Sequence, residues 1–120
     1  MTGQAHVSGA LGEIRAQHLL EEKGYRILAH NYVSPGSEID LIAEHAGVIV
    51  FIEVKTRSWR GYSGREAVTA AKQKRICKGA IHYLMRNGLM NRQARFDVIE
   101  IQGERAAHIE SAFEYQGPAF

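Results

Sequence analysis

The sequence predicts an α/β fold, a central mixed sheet of about five strands flanked by helices, in the order α-β-β-β-α-β-β. Three observations predict it. Two stretches place apolar residues at helical spacing, and each ends on a stop signal, Gly24 in one case and Asn87–Gly88 in the other. Five short runs rich in Val, Ile, Phe and Tyr are bounded by turn residues. Helices and neighbouring hairpins are interleaved, which points to helices packed against a mixed sheet.

The first helix is expected from Ser8, its cap, to Lys23, with Val7, Leu11, Ile14, His18 and Leu19 at helical spacing. Strand one reads as "YRILAHNYV" (25–33). Strands two and three read as "SEIDLIAE" (37–44) and "VIVFIEVKTR" (48–57), joined by a turn at "HAG". A loop "SWRGYSG" follows. Thr69 is the expected N-cap of a second helix running to about Arg86. "ARFDVIEI" (94–101) and "AHIESAF" (107–113) are the last two strands.

A chain of 120 residues is expected to form one domain, residues 1–120, with no internal repeat or linker. No apolar run approaches the roughly 20 residues that span a bilayer. The start "MTGQAHVSGALGEI" lacks the basic residues and apolar stretch of a signal peptide. A single cysteine, Cys77, excludes a disulfide framework and a cysteine-based zinc site. A cytoplasmic protein without a membrane partner is the expectation.

Net charge is only +2, but it is unevenly spread. From Lys55 to Lys78 there are eight basic residues against one acid, Glu66, leaving the rest of the chain at −5. One basic segment in an otherwise acidic chain suggests a local surface for anions. An ordinary solvated helix face is the plainer alternative.

Charge inside a strand is more informative. Glu53 and Lys55 interrupt the apolar run "GVIVFIEVK" and share one face, because side chains alternate along a strand. If Ala46 and Gly47 are the central turn residues, facing residues on strands two and three have numbers summing to 93. Asp40 then lies opposite Glu53, and Glu38 opposite Lys55, at roughly 4.5–5.5 Å between Cβ atoms. Ile39, Leu41, Val50, Ile52 and Val54 fall on the other, core face. Two carboxylates about 5 Å apart repel by roughly 3 kcal/mol at an effective dielectric near 20. A divalent cation removes that penalty, and carboxylate oxygens suit Mg²⁺ or Mn²⁺. The structural alternative pairs Lys55 with Glu38 or Glu53 and uses Asp40 as a turn cap.

Ile39-Asp40 followed by Glu53-Val54-Lys55, with a helix upstream carrying Glu13, resembles the PD-(D/E)xK nuclease motif. The stretches "GEIRAQHLLEEKGYRIL", "SEIDLIAE", "VIVFIEVKTRS", "EAVTAAKQKRI" and "RFDVIEI", in this order from Gly9 to Ile101, resemble a narrower group. This is the YraN-like family of bacteria, functionally uncharacterised and similar to Holliday junction resolvases. The resemblance implies a restriction-endonuclease-like core and a Mg²⁺- or Mn²⁺-dependent nuclease. It implies metal ligation by Asp40 and Glu53, by the Val54 carbonyl, and by Glu13 directly or through water. Lys55 would position or activate the attacking water. Ile39 stands where the motif has proline, a position that supplies no ligand. Related nucleases carry a glutamine on the second helix that reaches the site. This makes Gln73 a candidate accessory catalytic residue, the alternative being an amide bonded to local backbone.

Lys72, Lys74, Arg75 and Lys78 are expected on the outer side of that helix. With Arg57 and Arg60 they are the candidate phosphate contacts, which position a nucleic acid without reading it. Trp59 and Tyr62 are candidates for base stacking or for wedging a distorted duplex, the alternatives being that they pack the loop down or form a dimer contact. Asp97 reads as structural, paired with Arg95. The expected function is a metal-dependent DNA endonuclease, with branched or damaged DNA as candidate substrates. Resolvase likeness makes a homodimer a reasonable expectation, because two symmetric cuts need two sites. A non-catalytic nucleic-acid-binding module of the same fold is the alternative. A protein-interaction domain is a third class.

Overall fold

The computed structural model describes residues 2–56 and 68–117, with side chains from residue 11 onward. Arg57, Trp59, Arg60 and Tyr62 lie outside the described residues. The elements are α1 (Thr2–Glu22), β1 (Arg26–Ser34), β2 (Ser37–His45), β3 (Val48–Thr56), α2 (Ala70–Arg86), β4 (Ala94–Gln102) and β5 (Arg105–Phe113). They form a five-stranded sheet in the order β1-β2-β3-β4-β5. Every neighbouring pair is antiparallel except β3 and β4, which run parallel because the α2 crossover separates them. The α/β class and the α-β-β-β-α-β-β order are as the sequence predicts. No helix among the described residues is long and apolar enough to cross a membrane.

β3 is the central strand and is buried on both faces. Val50 and Ile52 join Leu41, Ile99 and Ile101 under Ala16 and Leu20 of α1, with half-buried Val54 packed beside them. Ile49 and Phe51 join Phe96, Val98 and the α2 residues Ile76, Cys77, Ala80, Tyr83 and Leu84 on the other face. The Thr69 side chain accepts the Lys72 N–H and caps α2 as expected.

Two expectations are corrected. α1 begins at Thr2, so Ser8 lies inside the helix. Its buried stripe is Gly12, Ala16 and Leu20, while Leu11 and Ile14 are exposed. A Cβ on Gly12 would sit 2.5 Å from Thr56 Oγ1, so α1 rests on β3 through its small residues rather than its large ones. The second correction concerns β2. Ile39 packs with the α2-side cluster and Leu41 with the α1-side cluster, although strict alternation puts them together. Asn31 lies between the partners His30↔Leu41 and Tyr32↔Ile39, with a left-handed φ of 50°.

Candidate metal centre

The β2–β3 register is the one that the two-residue turn implies. Partners run from His45↔Val48 to Leu41↔Ile52, and each pair sums to 93. Beyond Leu41↔Ile52 the regular pairing stops. Asp40 Oδ2 instead accepts the Val54 N–H at 2.8 Å. A residue's N–H and C=O leave a strand on the same side. The Val54 carbonyl is therefore directed toward β2 and the opening occupied by Asp40.

Asp40 and Glu53 are brought within hydrogen-bonding reach of each other. Glu53 is only 5% exposed. Burial pushes the Asp40 carboxyl up to about 7, and the neighbouring charges of Glu53 and Glu13 add to the shift, while the Val54 N–H opposes it. Without a cation, the pair resolves its repulsion by keeping a proton. Glu13 approaches from α1. Burial raises its carboxyl, a hydrogen bond with Asn31 works against this, and Glu38 and Glu53 raise it further.

Lys55 lies on the same strand, its Nζ 3.4 Å from Glu53 Oε1. Burial lowers its pKa, the adjacent Lys72 lowers it further, and Glu53 opposes both. Lys72 reaches closer still, to 2.6 Å from the same Glu53 oxygen. Burial acts against the Lys72 charge, but its contacts with Glu53 and Lys55 outweigh this and raise its pKa.

Asp40, Glu53 and Lys72 line a groove of about 510 Å³ between the β1–β2 hairpin and the first turns of α2. Glu38, Asp40 and Glu53 lie along it, with Lys72, Arg75 and Ile76 from the helix. The expected outer placement of Lys72 is therefore corrected, because it turns inward onto Glu53. Arg75 borders the groove, while Lys74 and Lys78 are exposed. Gln73 is not drawn to the acids. Its Nε2 donates to the Val68 carbonyl at 2.9 Å, and its Oε1 accepts from Gln116. The local-backbone alternative describes it better than the accessory catalytic one. The signal that places Lys72 was present in its spacing. It precedes Ile76 by four residues and Tyr83 by eleven, both buried on the sheet side of α2.

The donor set fits a hard divalent cation. Two carboxylates, Asp40 and Glu53, come close in a partly buried place, and two lysines on Glu53 balance the charge. Among the described residues, the one group of three acidic or histidine side chains with ligand atoms within 4.8 Å of one another is Asp97, His108 and Glu110, on the opposite face of the sheet. Its lone pairs are already engaged. Asp97 takes bonds from Arg95 Nε (3.0 Å), His108 Nε2 (2.7 Å) and the Ser111 N–H (2.9 Å). Arg95 also pairs with Glu110, at 3.1 Å. Burial alone would raise the Asp97 carboxyl; the bonds from His108, Arg95 and Ser111 instead lower it. This network fastens β5 to β4 at the Ser111 bulge.

A family model described as uncharacterised protein family UPF0102 matches residues 12–101. A UPF0102 protein of Symbiobacterium thermophilum is 50% identical over 95 residues, covering 78% of this chain and 80% of the relative. One from Sulfurihydrogenibium sp. (strain YO3AOP1) is 40% identical over 109 residues, covering 90% and 95%. One from Geobacter sulfurreducens is 41% identical over 114 residues, covering 90% and 89%.

Proposed function

Since the chain belongs to UPF0102, a family whose description carries no activity, we propose a function from the groove itself: a metal-dependent endonuclease that hydrolyses phosphodiester bonds in DNA. The observation that carries the reading is the close Asp40–Glu53 pair in a groove lined by Lys72 and Arg75, with Lys55 against Glu53. A purely binding surface gains nothing from buried acids beside phosphate, and a structural ion pair does not need two acids in contact.

Asp40 and Glu53 would hold Mg²⁺ or Mn²⁺, with the Val54 carbonyl and Glu13 as further oxygen donors. Such an ion supplies Lewis acidity at the scissile phosphate and acidifies water beside it. Lys55, with its charge weakened by burial, orients the attacking water or accepts its proton. Arg75 and the exposed Lys74 and Lys78 supply phosphate contacts along α2. A homodimer would present two grooves to branched DNA, and a DNA substrate sets the work in the cytoplasm.

The test is incubation with linear, single-stranded, flapped and four-way DNA, with Mg²⁺ or Mn²⁺ against EDTA. Cleavage that requires the metal and is lost in Asp40→Asn and Lys55→Ala is the expected result. Salt-sensitive DNA binding without cleavage under either metal would replace the nuclease reading with that of a binding module.

A further inference from the structure

Lys72 has no assigned part in the chemistry above, yet among the described residues it makes the shortest ion pair in the groove. Glu53 Oε1 is contacted by two ammonium groups, Lys72 at 2.6 Å and Lys55 at 3.4 Å. Their origins differ. Lys55 stands on β3 beside Glu53. Lys72 comes from the first turn of α2, across the groove, and its side chain is 33% exposed against 22% for Lys55. The Thr69 cap fixes the Lys72 backbone through its N–H, so only the side chain is free to move.

We propose that Lys72 is the groove's resident counter-ion: in the metal-free chain it occupies Glu53, and when a divalent cation takes that carboxylate it turns outward to meet a substrate phosphate. The proposal rests on the metal-site reading and adds a residue with two alternating partners.

Formal charge supports the exchange. With every acid ionised, as cation binding requires, Glu13, Glu38, Asp40 and Glu53 against Lys55, Lys72 and Arg75 leave one negative charge in and around the groove. A divalent cation makes that one positive charge, and a phosphodiester group brings it to zero. Lys72 has no acid left to itself once Glu53 is taken. Its flexible stem can then carry it toward solvent, where Arg75, exposed and lining the same groove, already stands. A lysine is suited to this, being a compact charge on a long stem with no fixed bidentate geometry to break.

The consequence is a pair of opposite signs in one variant. Lys72→Met keeps the stem and removes the competing charge. It should bind Mn²⁺ alone more tightly than the parent, by about tenfold, an estimate for losing one charge-assisted contact at this carboxylate. The same variant should bind DNA more weakly in the presence of Ca²⁺, used as a divalent ion that fills the site. Lys72→Arg retains the charge and should keep Mn²⁺ affinity near the parent value. Thermal melting of all three proteins confirms that each is folded before titration calorimetry.

Equal Mn²⁺ affinity in parent and Lys72→Met would overturn the counter-ion role while leaving the metal site standing. Weaker Mn²⁺ binding by Lys72→Met would do the same, by making Lys72 a support for Glu53 rather than a competitor. Absence of Mn²⁺ binding in every variant, with and without DNA, would overturn the metal-site reading and this inference with it.

Discussion

At the scale of single residues, Asp40 is where the fold is most at odds with itself. Its carboxyl is pushed up to about 7, chiefly by burial and then by the Glu53 charge. An ordinary unfolded aspartate titrates near 3.9. Between those two values the folded chain holds more protons than the unfolded one. The metal-free protein therefore loses stability as pH rises from about 4 through about 7. Asp40→Asn imitates the protonated form, accepting from the Val54 N–H and donating toward Glu53. It should be more stable than the parent above pH 7, by on the order of 2 kcal/mol, with the gap closing toward pH 4. Urea unfolding of both proteins at pH 4, 6 and 8 in EDTA checks this. A constant difference at all three values would mean that Asp40 carries no such penalty. The β2–β3 register up to Leu41↔Ile52 was legible in the sequence, because a two-residue turn dictates it, and extending it is what pointed to Asp40 and Glu53 as neighbours. The position of Gln73 was not. Its partner Gln116 is 43 residues away, beyond the reach of any local pattern.

At the scale of elements, the groove depends on how closely α2 approaches β2. Gly79 permits that approach. A Cβ there would lie 2.2 Å from Ser37 Oγ and 3.2 Å from Ile39 Cδ1. Ser37 Oγ is buried, with no hydrogen-bond partner among the described residues, so the contact is one of packing alone. Gly79→Ala should destabilise the protein by about 1–3 kcal/mol, the usual cost of overpacking. Combining it with Ser37→Gly should recover part of the loss, which thermal melting of the single and double variants measures. Gly79→Ala melting like the parent would show that α2 has slack against β2. The hairpins and α2 were readable because turn residues and a Thr cap leave strong local marks. The packing face of α1 was not, because a helix lying close to a sheet hides its contact in Gly12 and Ala16, residues that carry almost no hydrophobic signal. Ile39 was missed for another reason: the face assignment relied on strict two-residue alternation, which fails between Ile39 and Leu41, beside the left-handed Asn31 of β1.

At the scale of the whole molecule, the sheet separates two charged centres that look alike in composition. On the α2 side, Asp40 and Glu53 are in contact, with lysines from two elements turned onto Glu53. On the α1 side, Asp97 is buried under Arg95, His108 and the Ser111 N–H and has its lone pairs filled. In the first arrangement two acids meet and share a proton, and in the second one acid is surrounded by donors, so the first is the site proposed to take a cation. The sequence distinguished them in part. Arg95, two residues from Asp97 on one strand, marks a local pair, whereas Asp40 and Glu53 meet only across a hairpin. His108 could not be tied to Asp97 in advance, because the β4–β5 register is shifted by the bulge at Ser111. The most direct measurement of the central claim is the anomalous scattering of a crystal soaked in Mn²⁺. The account predicts a peak bonded to carboxylate oxygens of Asp40 and Glu53, at about 2.0–2.3 Å, with Glu13 beside it. A peak among Asp97, His108 and Glu110 instead, or none at the groove at saturating Mn²⁺, would contradict it.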